Sequence, residues 1–217
     1  MPVRVGLKVI ELWNASMEKE VCEYEKQPIE KGKIVFYGSS NFTRWSEKHN
    51  HIPLREAIVG KSGEQCCINR GFGSSCTEHH LYYYHRMIKP LEPKVLVYTS
   101  FGNGENFGYT LEEEWELAQR VALYTLADFP DVHIYLCAPN RRRDITDARL
   151  EKLAKYDEYL KEFVKDRPNC FFISAREYEP LQRNDIYVSD GIHFNQDGYH
   201  LYADFFREAL KEELERF

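Results

Sequence analysis

The sequence predicts an α/β fold, a three-layer α/β/α sandwich around a five-stranded parallel sheet, in a single domain of residues 1–217. Short apolar runs rich in β-branched and aromatic residues alternate along the chain with longer amphipathic segments. This alternation is typical of a parallel sheet covered by helices on both faces. No repeat, linker or low-complexity stretch interrupts it. Ligands of such sheets bind outside the carboxyl ends of the strands.

The five predicted strands are short and consist of consecutive apolar residues. They are expected at residues 33–37, 65–69, 95–98, 133–137 and 170–173. Consecutive rather than alternating apolar side chains indicate strands that are buried on both faces.

Helices are predicted between and around these strands, at about residues 16–25, 78–88, 110–126, 146–164 and 197–217. The clearest start is at Thr110, because Thr-x-x-Glu ending at Glu113 is a capping box. Residues 1–15 are expected to form an N-terminal extension packed outside the sheet.

The composition and charge exclude several classes of protein. Hydrophobic residues make up 43% of the chain and charged residues 29%, as in ordinary globular proteins. The net charge of −6 provides no basic field for nucleic acid. No apolar run approaches the roughly 20 residues of a membrane span, and the N-terminus lacks the apolar core of a signal peptide. We therefore expect a cytoplasmic protein without nucleic-acid or membrane partners, whose oligomeric state the sequence leaves open.

The six cysteines are predicted to be thiols. Most lie in strand-like apolar runs, where a reduced cysteine behaves as a small hydrophobic residue. The sequence contains no C-x-x-C pair and no Cys/His zinc spacing. Cys76 follows a Gly/Ser turn and is the one cysteine expected near the candidate site.

Residues from the two ends of the chain contain the elements of nucleophilic catalysis. Ser40 follows the first predicted strand, and Asp190 stands three residues before His193. A serine hydroxyl is a weak nucleophile unless a base removes its proton, and that base needs a third group to fix its tautomer. Asp-x-x-His can supply both groups from one turn, so these residues favour an enzyme.

Turns rich in glycine, serine or asparagine follow the first three predicted strands. They are residues 38–40, 71–74 and 102–104. Because the carboxyl ends of parallel strands meet at one edge of the sheet, the three turns should converge there.

These turns and the Asp-x-x-His segment, taken in chain order, resemble the four sequence blocks of the SGNH hydrolases, also called GDSL lipases and esterases. The resemblance extends from about residue 16 to the C-terminus. Its blocks are residues 36–45, residues 69–75, Asn103 followed by residues 108–110, and residues 190–199. Any block alone would be weak, but four in order, each at a strand edge, are specific.

The resemblance implies a flavodoxin-like SGNH hydrolase fold and a serine acylhydrolase. Ser40 would be the nucleophile, His193 the general base, and Asp190 the residue that orients His193. The backbone N–H groups of Ser40 and Ser74 and the side chain of Asn103 would form the oxyanion hole. The family needs no metal and no organic cofactor, so neither is expected, and the partner would be a small-molecule acyl ester.

Three positions depart from the family's pattern. Ser39 stands where the family has an aspartate before the nucleophile, a position outside the triad. Ser74 replaces the oxyanion glycine, and its main-chain N–H can still donate unless the turn needs a positive φ. Asn103 lies five residues after Tyr98 rather than four, which leaves Asn106 as a rival donor.

Simpler structural interpretations exist for these residues. Ser40 alone could cap a helix, Asp190 alone could form an Asx-turn, and Asn103 between two glycines could be a turn residue. The favoured function is hydrolysis of a small O-acyl ester, such as an acetylated sugar or a short-chain lipid. A non-catalytic binding module with the same fold and a thioesterase are the alternatives.

Two further groups of residues are interpreted as solvated surface. His79, His80 and His85 lie in a polar helix without a cysteine or carboxylate set that would complete a metal site. Residues 141–143, three consecutive arginines, follow the fourth strand at the rim of the candidate site, where they could also meet an anionic substrate.

Overall fold

The core of the molecule is a parallel sheet. The computed structural model describes the chain from residue 10 onward, and its side chains from residue 15. In this part of the chain the strands are β1 (Ile34–Gly38), β2 (Cys67–Gly71), β3 (Val95–Thr99), β4 (His133–Cys137) and β5 (Cys170–Ile173). They pair in the order β2-β1-β3-β4-β5, with every pair parallel. The predicted α/β fold class is confirmed. The observed bounds differ from the predicted ones by at most two residues, the second strand being shifted most.

The helices of residues 10–217 are α1 (Ile10–Glu25), α2 (Ser40–Thr43), α3 (Leu54–Ala57), α4 (Thr77–Met87), α5 (Leu111–Asp128), α6 (Asp147–Lys165), α7 (Gln196–Ala209) and α8 (Lys211–Leu214). Two predicted bounds were wrong. The first helix begins at Ile10 and so takes in part of the expected extension, and the last predicted helix is divided at Leu210 into two helices. Residues 1–9 lie outside the described residues, so an extension there stays a prediction.

Polar side chains at the predicted positions start the long helices. Thr110 Oγ1 accepts a hydrogen bond from the Glu113 N–H at 3.2 Å, and the Glu113 carboxylate accepts from the Thr110 N–H at 2.9 Å. This is the predicted capping box of α5. Thr146 caps α6 by accepting from the Arg149 N–H at 3.3 Å. Asn195 caps α7 in the same way and thereby fixes the chain just after the Asp-x-x-His segment.

Helices cover both faces of the sheet, as a three-layer α/β/α sandwich requires. One layer contains α1, α4, α5 and α6, and the other contains α2, α3, α7 and α8. On β1, Val35 and Tyr37 pack against the first layer while Ile34 and Phe36 pack against the second. Successive side chains of a strand point to opposite faces, so a strand between two layers is apolar at every position.

The strand order places the candidate site at the switch point of the sheet. The strand β1 lies between β2 and β3, so the loops that follow β1 and β3 border a crevice at their carboxyl ends. Gly71, at the end of β2, lets α2 approach this edge: a Cβ there would lie 2.5 Å from Phe42 Cβ and 2.7 Å from the Thr43 nitrogen.

Among the described residues, no helix combines the length and the apolarity that crossing a bilayer requires.

Candidate active site

Ser40, His193 and Asp190 lie together at the carboxyl edge of the sheet. His193 Nε2 is 2.8 Å from Ser40 Oγ, and His193 Nδ1 is 2.7 Å from Asp190 Oδ2. The hydroxyl, the imidazole and the carboxylate therefore form a continuous hydrogen-bonded chain. With Nδ1 donating to the carboxylate, Nε2 is the nitrogen that can accept the serine proton.

The Asp-x-x-His segment is a local turn stabilised by the aspartate itself. Asp190 Oδ1 accepts hydrogen bonds from the N–H groups of Ile192 at 2.8 Å and His193 at 3.0 Å. Gly191 has a φ of +67°, which glycine adopts without strain. The Asx-turn interpretation of Asp190 therefore holds alongside its contact with the imidazole, because Oδ1 closes the turn and Oδ2 contacts the ring.

The surroundings shift the pKa values of both residues. Burial alone would raise the pKa of the Asp190 carboxyl, but the hydrogen bonds from His193 and from the Ile192 N–H hold it well below its usual range. Burial lowers the pKa of His193, and the positive charges of Arg44 and Arg142 lower it further against the opposing effect of Asp190. His193 is therefore neutral, and able to accept a proton, at neutral pH.

Ser40 is the first residue of α2, whose N-cap is Ser39. The interpretation of Ser40 as a capping residue is wrong, since its hydroxyl bonds to His193 instead. The N–H groups at the start of a helix have no intrahelical acceptor. In the described chain the Ser40 N–H donates to no backbone or side-chain acceptor, so it is available to a ligand.

Ser74 adopts the left-handed conformation with a φ of +60°. The turn therefore does require a positive φ, which costs serine about 1 kcal/mol relative to glycine. Serine adopts this conformation nevertheless, so its main-chain N–H stays a candidate donor. Contacts on both sides fix the turn: Gly73 N–H donates to Glu20 Oε2 at 2.8 Å, and Ser75 Oγ donates to Phe72 O at 2.7 Å. Ser74 lines the same cleft as Ser40 and His193.

The side chain of Asn103 is held beside the candidate nucleophile. Its Nδ2 lies 2.8 Å from Ser39 Oγ and 2.8 Å from the carbonyl oxygen of Ser75. A carbonyl oxygen only accepts, so the amide nitrogen must face it. Asn106 lines the same cleft, and the choice between the two asparagines as oxyanion donor therefore stays a prediction.

A buried histidine supports the turn from behind. His80 is 1% exposed, with Nε2 2.9 Å from Ser75 Oγ and Nδ1 3.2 Å from the Tyr98 hydroxyl. Burial lowers the pKa of His80 to about 3, so the ring is neutral. Because the Ser75 hydroxyl donates to Phe72 O, Nε2–H donates to Ser75 and Nδ1 accepts from Tyr98.

The prediction of a solvated histidine cluster was wrong for His79 and His80, which are both buried, and holds for His85, which is exposed. The helix α4 packs against α1 and α5 and against the sheet, so a polar sequence did not mean a polar environment. No periodic signal distinguished the two buried rings, since their burial depends on partners far along the chain.

The cysteine expected near the candidate site is a buried thiol. All six cysteines are free thiols. Cys76 lies near the site, as expected, but is buried, with Sγ 3.2 Å from His79 Nδ1. Burial raises the pKa of the Cys76 thiol to about 12, so it stays protonated at neutral pH.

The cleft above Ser40 has a volume of about 490 Å³. Its charged lining residues are Glu20, Arg44, Lys48 and Arg142. The three consecutive arginines thus differ in their contacts. Arg142 lines the cleft. Arg141 donates to the carbonyl oxygen of Gln182, and Arg143 donates to those of Val188 and Ser189. A smaller recess of about 80 Å³, lined by Ser40, Asn103 and Phe101 among others, adjoins the cleft.

The fold is that of the SGNH, or GDSL-like, hydrolases. No family model and no curated protein matches the sequence, but solved structures of this class superpose on nearly the whole chain. A Streptococcus pneumonia protein, provisionally described as a platelet activating factor, has a TM-score of 0.72 at 19% identity, covering 95% of this chain and 96% of its own.

Two further similar structures are those of a lipase and an esterase. A GDSL-like lipase from Bacteroides thetaiotaomicron has a TM-score of 0.70 at 16% identity, covering 92% of this chain and 98% of its own. The acetyl xylan esterase AlAXEase has a TM-score of 0.66 at 18% identity, covering 82% of this chain and 99% of its own. At these identities the likeness concerns the fold, and the resemblance inferred from the sequence blocks is confirmed at that level.

Proposed function

We propose that this protein is a serine esterase of the SGNH class that cleaves a small O-acyl ester through an acyl-enzyme intermediate. The observation that carries the proposal is the hydrogen-bonded chain from Ser40 Oγ through His193 to Asp190, with distances of 2.8 and 2.7 Å. Those distances allow direct proton transfer. The carbohydrate and lipid esterases among the similar folds support the same chemistry.

In the first half-reaction Ser40 Oγ attacks the ester carbonyl carbon while His193 Nε2 takes the hydroxyl proton. The carbonyl π electrons move to oxygen, and the N–H groups of Ser40 and Ser74 with the Asn103 amide stabilise the oxyanion. As the tetrahedral intermediate collapses, the bond to the alcohol oxygen breaks and His193 gives that oxygen the proton. Asp190 stabilises the imidazolium that exists between these two steps.

In the second half-reaction water replaces the alcohol. His193 takes a proton from the water as its oxygen attacks the acyl carbon, and the second intermediate collapses to the free acid with Ser40 Oγ as leaving group. His193 returns the proton to the serine. Each oxyanion donor of this kind is worth about 3 kcal/mol of barrier.

The acyl group is proposed to be acetyl or another short chain. The recess beside Ser40 and Asn103 has a volume of about 80 Å³, which favours a small acyl group over a long chain. The larger cleft on the His193 side is open to the alcohol.

A non-catalytic binding module is the second candidate, and one observation favours it. Both hydrogens of the Asn103 amide have protein acceptors, Ser39 Oγ and Ser75 O. An oxyanion would have to take one of these hydrogens from its present acceptor. The Ser40–His193 contact has no comparable role in simple binding, which is why the esterase is preferred.

A chain-length series tests the proposal. Purified protein should hydrolyse p-nitrophenyl acetate faster than the octanoate, and Ser40→Ala should lower kcat by about 10⁴ to 10⁶. Ser62→Ala, an exposed serine remote from the cleft, serves as the matched control. A fluorophosphonate should add its phosphonyl mass to the wild-type protein and the Ser62 variant but not to the Ser40 variant. Equal turnover by Ser40→Ala and wild type would disprove the nucleophile.

A further inference from the structure

The cleft above the candidate nucleophile is basic, although the protein as a whole is acidic. Lysine and arginine number 29 against 35 aspartates and glutamates, a net charge of −6. Yet Arg44, Lys48 and Arg142 all line this one cleft with Ser40 and His193. A cluster of cations against the overall charge indicates a local requirement for positive potential.

Two of these cations have no partner among the residues whose side chains the structure describes. In residues 15–217 the side chains of Lys48 and Arg142 form no ion pair and donate no hydrogen bond to another residue. Arg44 has a long contact, 3.5 Å, to Asp190 Oδ2. That contact leaves most of the guanidinium's donors unused, since arginine carries five N–H groups.

The acidic and titratable neighbours do not neutralise the cluster. Glu20, the carboxylate that lines the same cleft, accepts a hydrogen bond from the Gly73 N–H at 2.8 Å. His49 lies 3.1 Å from Ser46 Oγ, and burial together with Arg44 and Lys48 lowers its pKa, so it adds no charge at neutral pH. Three cations thus face two carboxylates, Glu20 and Asp190, so the cleft keeps a small excess of positive charge.

The cluster differs from two nearby basic residues, which have an ion-pair or hydrogen-bond partner. Arg149 forms an ion pair with Glu105, and Arg141 donates to Asn184 Oδ1 at 2.9 Å. Within the described side chains Arg142 has no such partner, and a guanidinium with free N–H donors is well suited to bind an anion.

We propose that the ester cleaved here carries an anionic group, a carboxylate, sulfate or phosphate, on its alcohol portion, and that Lys48 and Arg142 bind that group beside Arg44. This inference rests on the proposed esterase function. It goes further by specifying the class of alcohol, which the catalytic residues alone do not determine.

The alcohol side is favoured because of where the proton is delivered. His193 gives its proton to the leaving oxygen, so the alcohol must lie on the His193 side of the acyl carbon. Arg44 contacts Asp190 on that side. Arg142 lies where the two cavities meet, and its charge acts on the His193 imidazole, so it can reach a group on the alcohol. The small recess beside Asn103 is left for the acyl group.

Matched esters test the charge requirement. The substrates are 3-acetoxybenzoate, 3-acetoxybenzenesulfonate and 3-acetoxyphenyl phosphate, compared with the neutral 3-acetoxybenzamide. We expect kcat/KM to be at least about tenfold higher for the best of the anionic esters, and the preference to fall as ionic strength rises. Which of the three anions is hydrolysed best distinguishes carboxylate, sulfonate-type and phosphate recognition.

Substitutions in the cleft test which residues cause the preference for anionic esters. Arg142→Gln and Lys48→Gln should each reduce the ratio of anionic to neutral kcat/KM by about three- to tenfold. Lys161→Gln, which removes a lysine paired with Glu177 on the surface away from the cleft, should leave the ratio unchanged. An unchanged ratio in both cleft variants would overturn the assignment of the anion site.

The outcomes separate this inference from the function it rests on. If wild-type protein hydrolyses none of the acetate esters, the esterase proposal itself fails. If kcat/KM for the neutral ester equals that for the anionic esters, the esterase proposal stands and the anionic alcohol is rejected. Mono-p-nitrophenyl succinate carries its anion on the acyl side, and p-nitrophenyl butyrate is its neutral counterpart. If the protein prefers the succinate but shows no preference among the 3-substituted acetates, the anion belongs on the acyl side and the proposal is overturned.

Discussion

The side-chain amide of Asn103 donates a 2.8 Å hydrogen bond to Ser39 Oγ, the hydroxyl that precedes the candidate nucleophile. Ser39 is a position where the sequence resemblance to SGNH hydrolases implies an aspartate, so a hydroxyl rather than a carboxylate accepts this hydrogen bond. The contact joins the loop after β3 to the loop after β1. It therefore fixes the candidate oxyanion donor relative to Ser40.

The first prediction concerns the strained turn. Ser74→Gly should raise the free energy of unfolding by about 0.5 to 1 kcal/mol, because relief of a φ of +60° outweighs the greater freedom of glycine in the unfolded chain. Urea denaturation measures the change. Ser189→Gly, at an exposed position without a positive φ, should be neutral or destabilising. Esterase activity should persist in Ser74→Gly, since the donor is a main-chain N–H.

A drop in stability on Ser74→Gly would mean that the serine side chain contributes more than its backbone strain costs. Loss of activity with unchanged stability would mean that the hydroxyl itself takes part in the site.

The strands and the site segments could be predicted from the sequence because their signals are local. A buried strand is a run of apolar residues, and the Asp190–His193 turn is stabilised within four residues. The burial of His80 could not be predicted, and the positive φ of Ser74 was left open by the sequence. His80 is buried by Tyr98 and Ser75, and the conformation of Ser74 depends on a turn anchored to α1. Both are consequences of tertiary packing.

The second prediction is the pH dependence of catalysis. Activity requires neutral His193, so kcat/KM should rise with pH and reach a plateau, with its midpoint below the ordinary pKa of a histidine because burial and Arg44 lower this one. Arg44→Gln removes a positive charge that opposes protonation, so the midpoint should move to higher pH. The Lys161→Gln profile should coincide with that of the wild type. A midpoint that stays in place or falls in Arg44→Gln would contradict the electrostatic account of His193.

The third prediction concerns Glu114, which is fully buried beneath the loop that carries Asn103. A Cβ on Gly104 would lie 2.5 Å from the Glu114 carboxyl carbon, and Thr77 Oγ1 donates to Glu114 Oε2 at 3.3 Å. Burial raises the pKa of this carboxyl to about 8, against the lowering effect of the Thr77 hydrogen bond. The folded protein therefore keeps the proton over a range in which the unfolded chain loses it.

The sign of the effect on stability follows from that difference. The contribution of the protonated carboxyl is fully present below about pH 4.5 and is lost as the pH rises to about 8. Glu114→Gln cannot ionise, so its free energy of unfolding should increase relative to wild type by up to roughly 4 kcal/mol between pH 5 and pH 8.5. Urea midpoints at the two pH values measure this. Glu151→Gln, an exposed control, should show the same pH dependence of unfolding free energy as the wild type. If Glu114→Gln also shows the wild-type pH dependence, the Glu114 carboxyl is not protonated in the folded protein.

The last prediction decides between Asn103 and Asn106 as the oxyanion donor. Both line the cleft, but Asn103 has its amide nitrogen anchored next to Ser40 by Ser39 Oγ and Ser75 O. A donor that acts mainly in the transition state lowers kcat by about 10² to 10³ when it is removed, with little change in KM. We expect this pattern for Asn103→Ala and not for Asn106→Ala.

Stability measurements keep that comparison interpretable. Asn103→Ala removes two hydrogen bonds, which together cost about 1 to 3 kcal/mol of folding free energy, so kcat is compared at a temperature where urea titration shows the variant to be folded. Ser39→Ala removes one of these bonds and keeps the amide. A smaller loss of kcat in Ser39→Ala than in Asn103→Ala is expected, because the amide remains and Ser75 O still orients it. The reverse result for the two asparagines would move the donor to Asn106. If neither matters, the loop after β3 supplies no donor, and the binding-module candidate gains support.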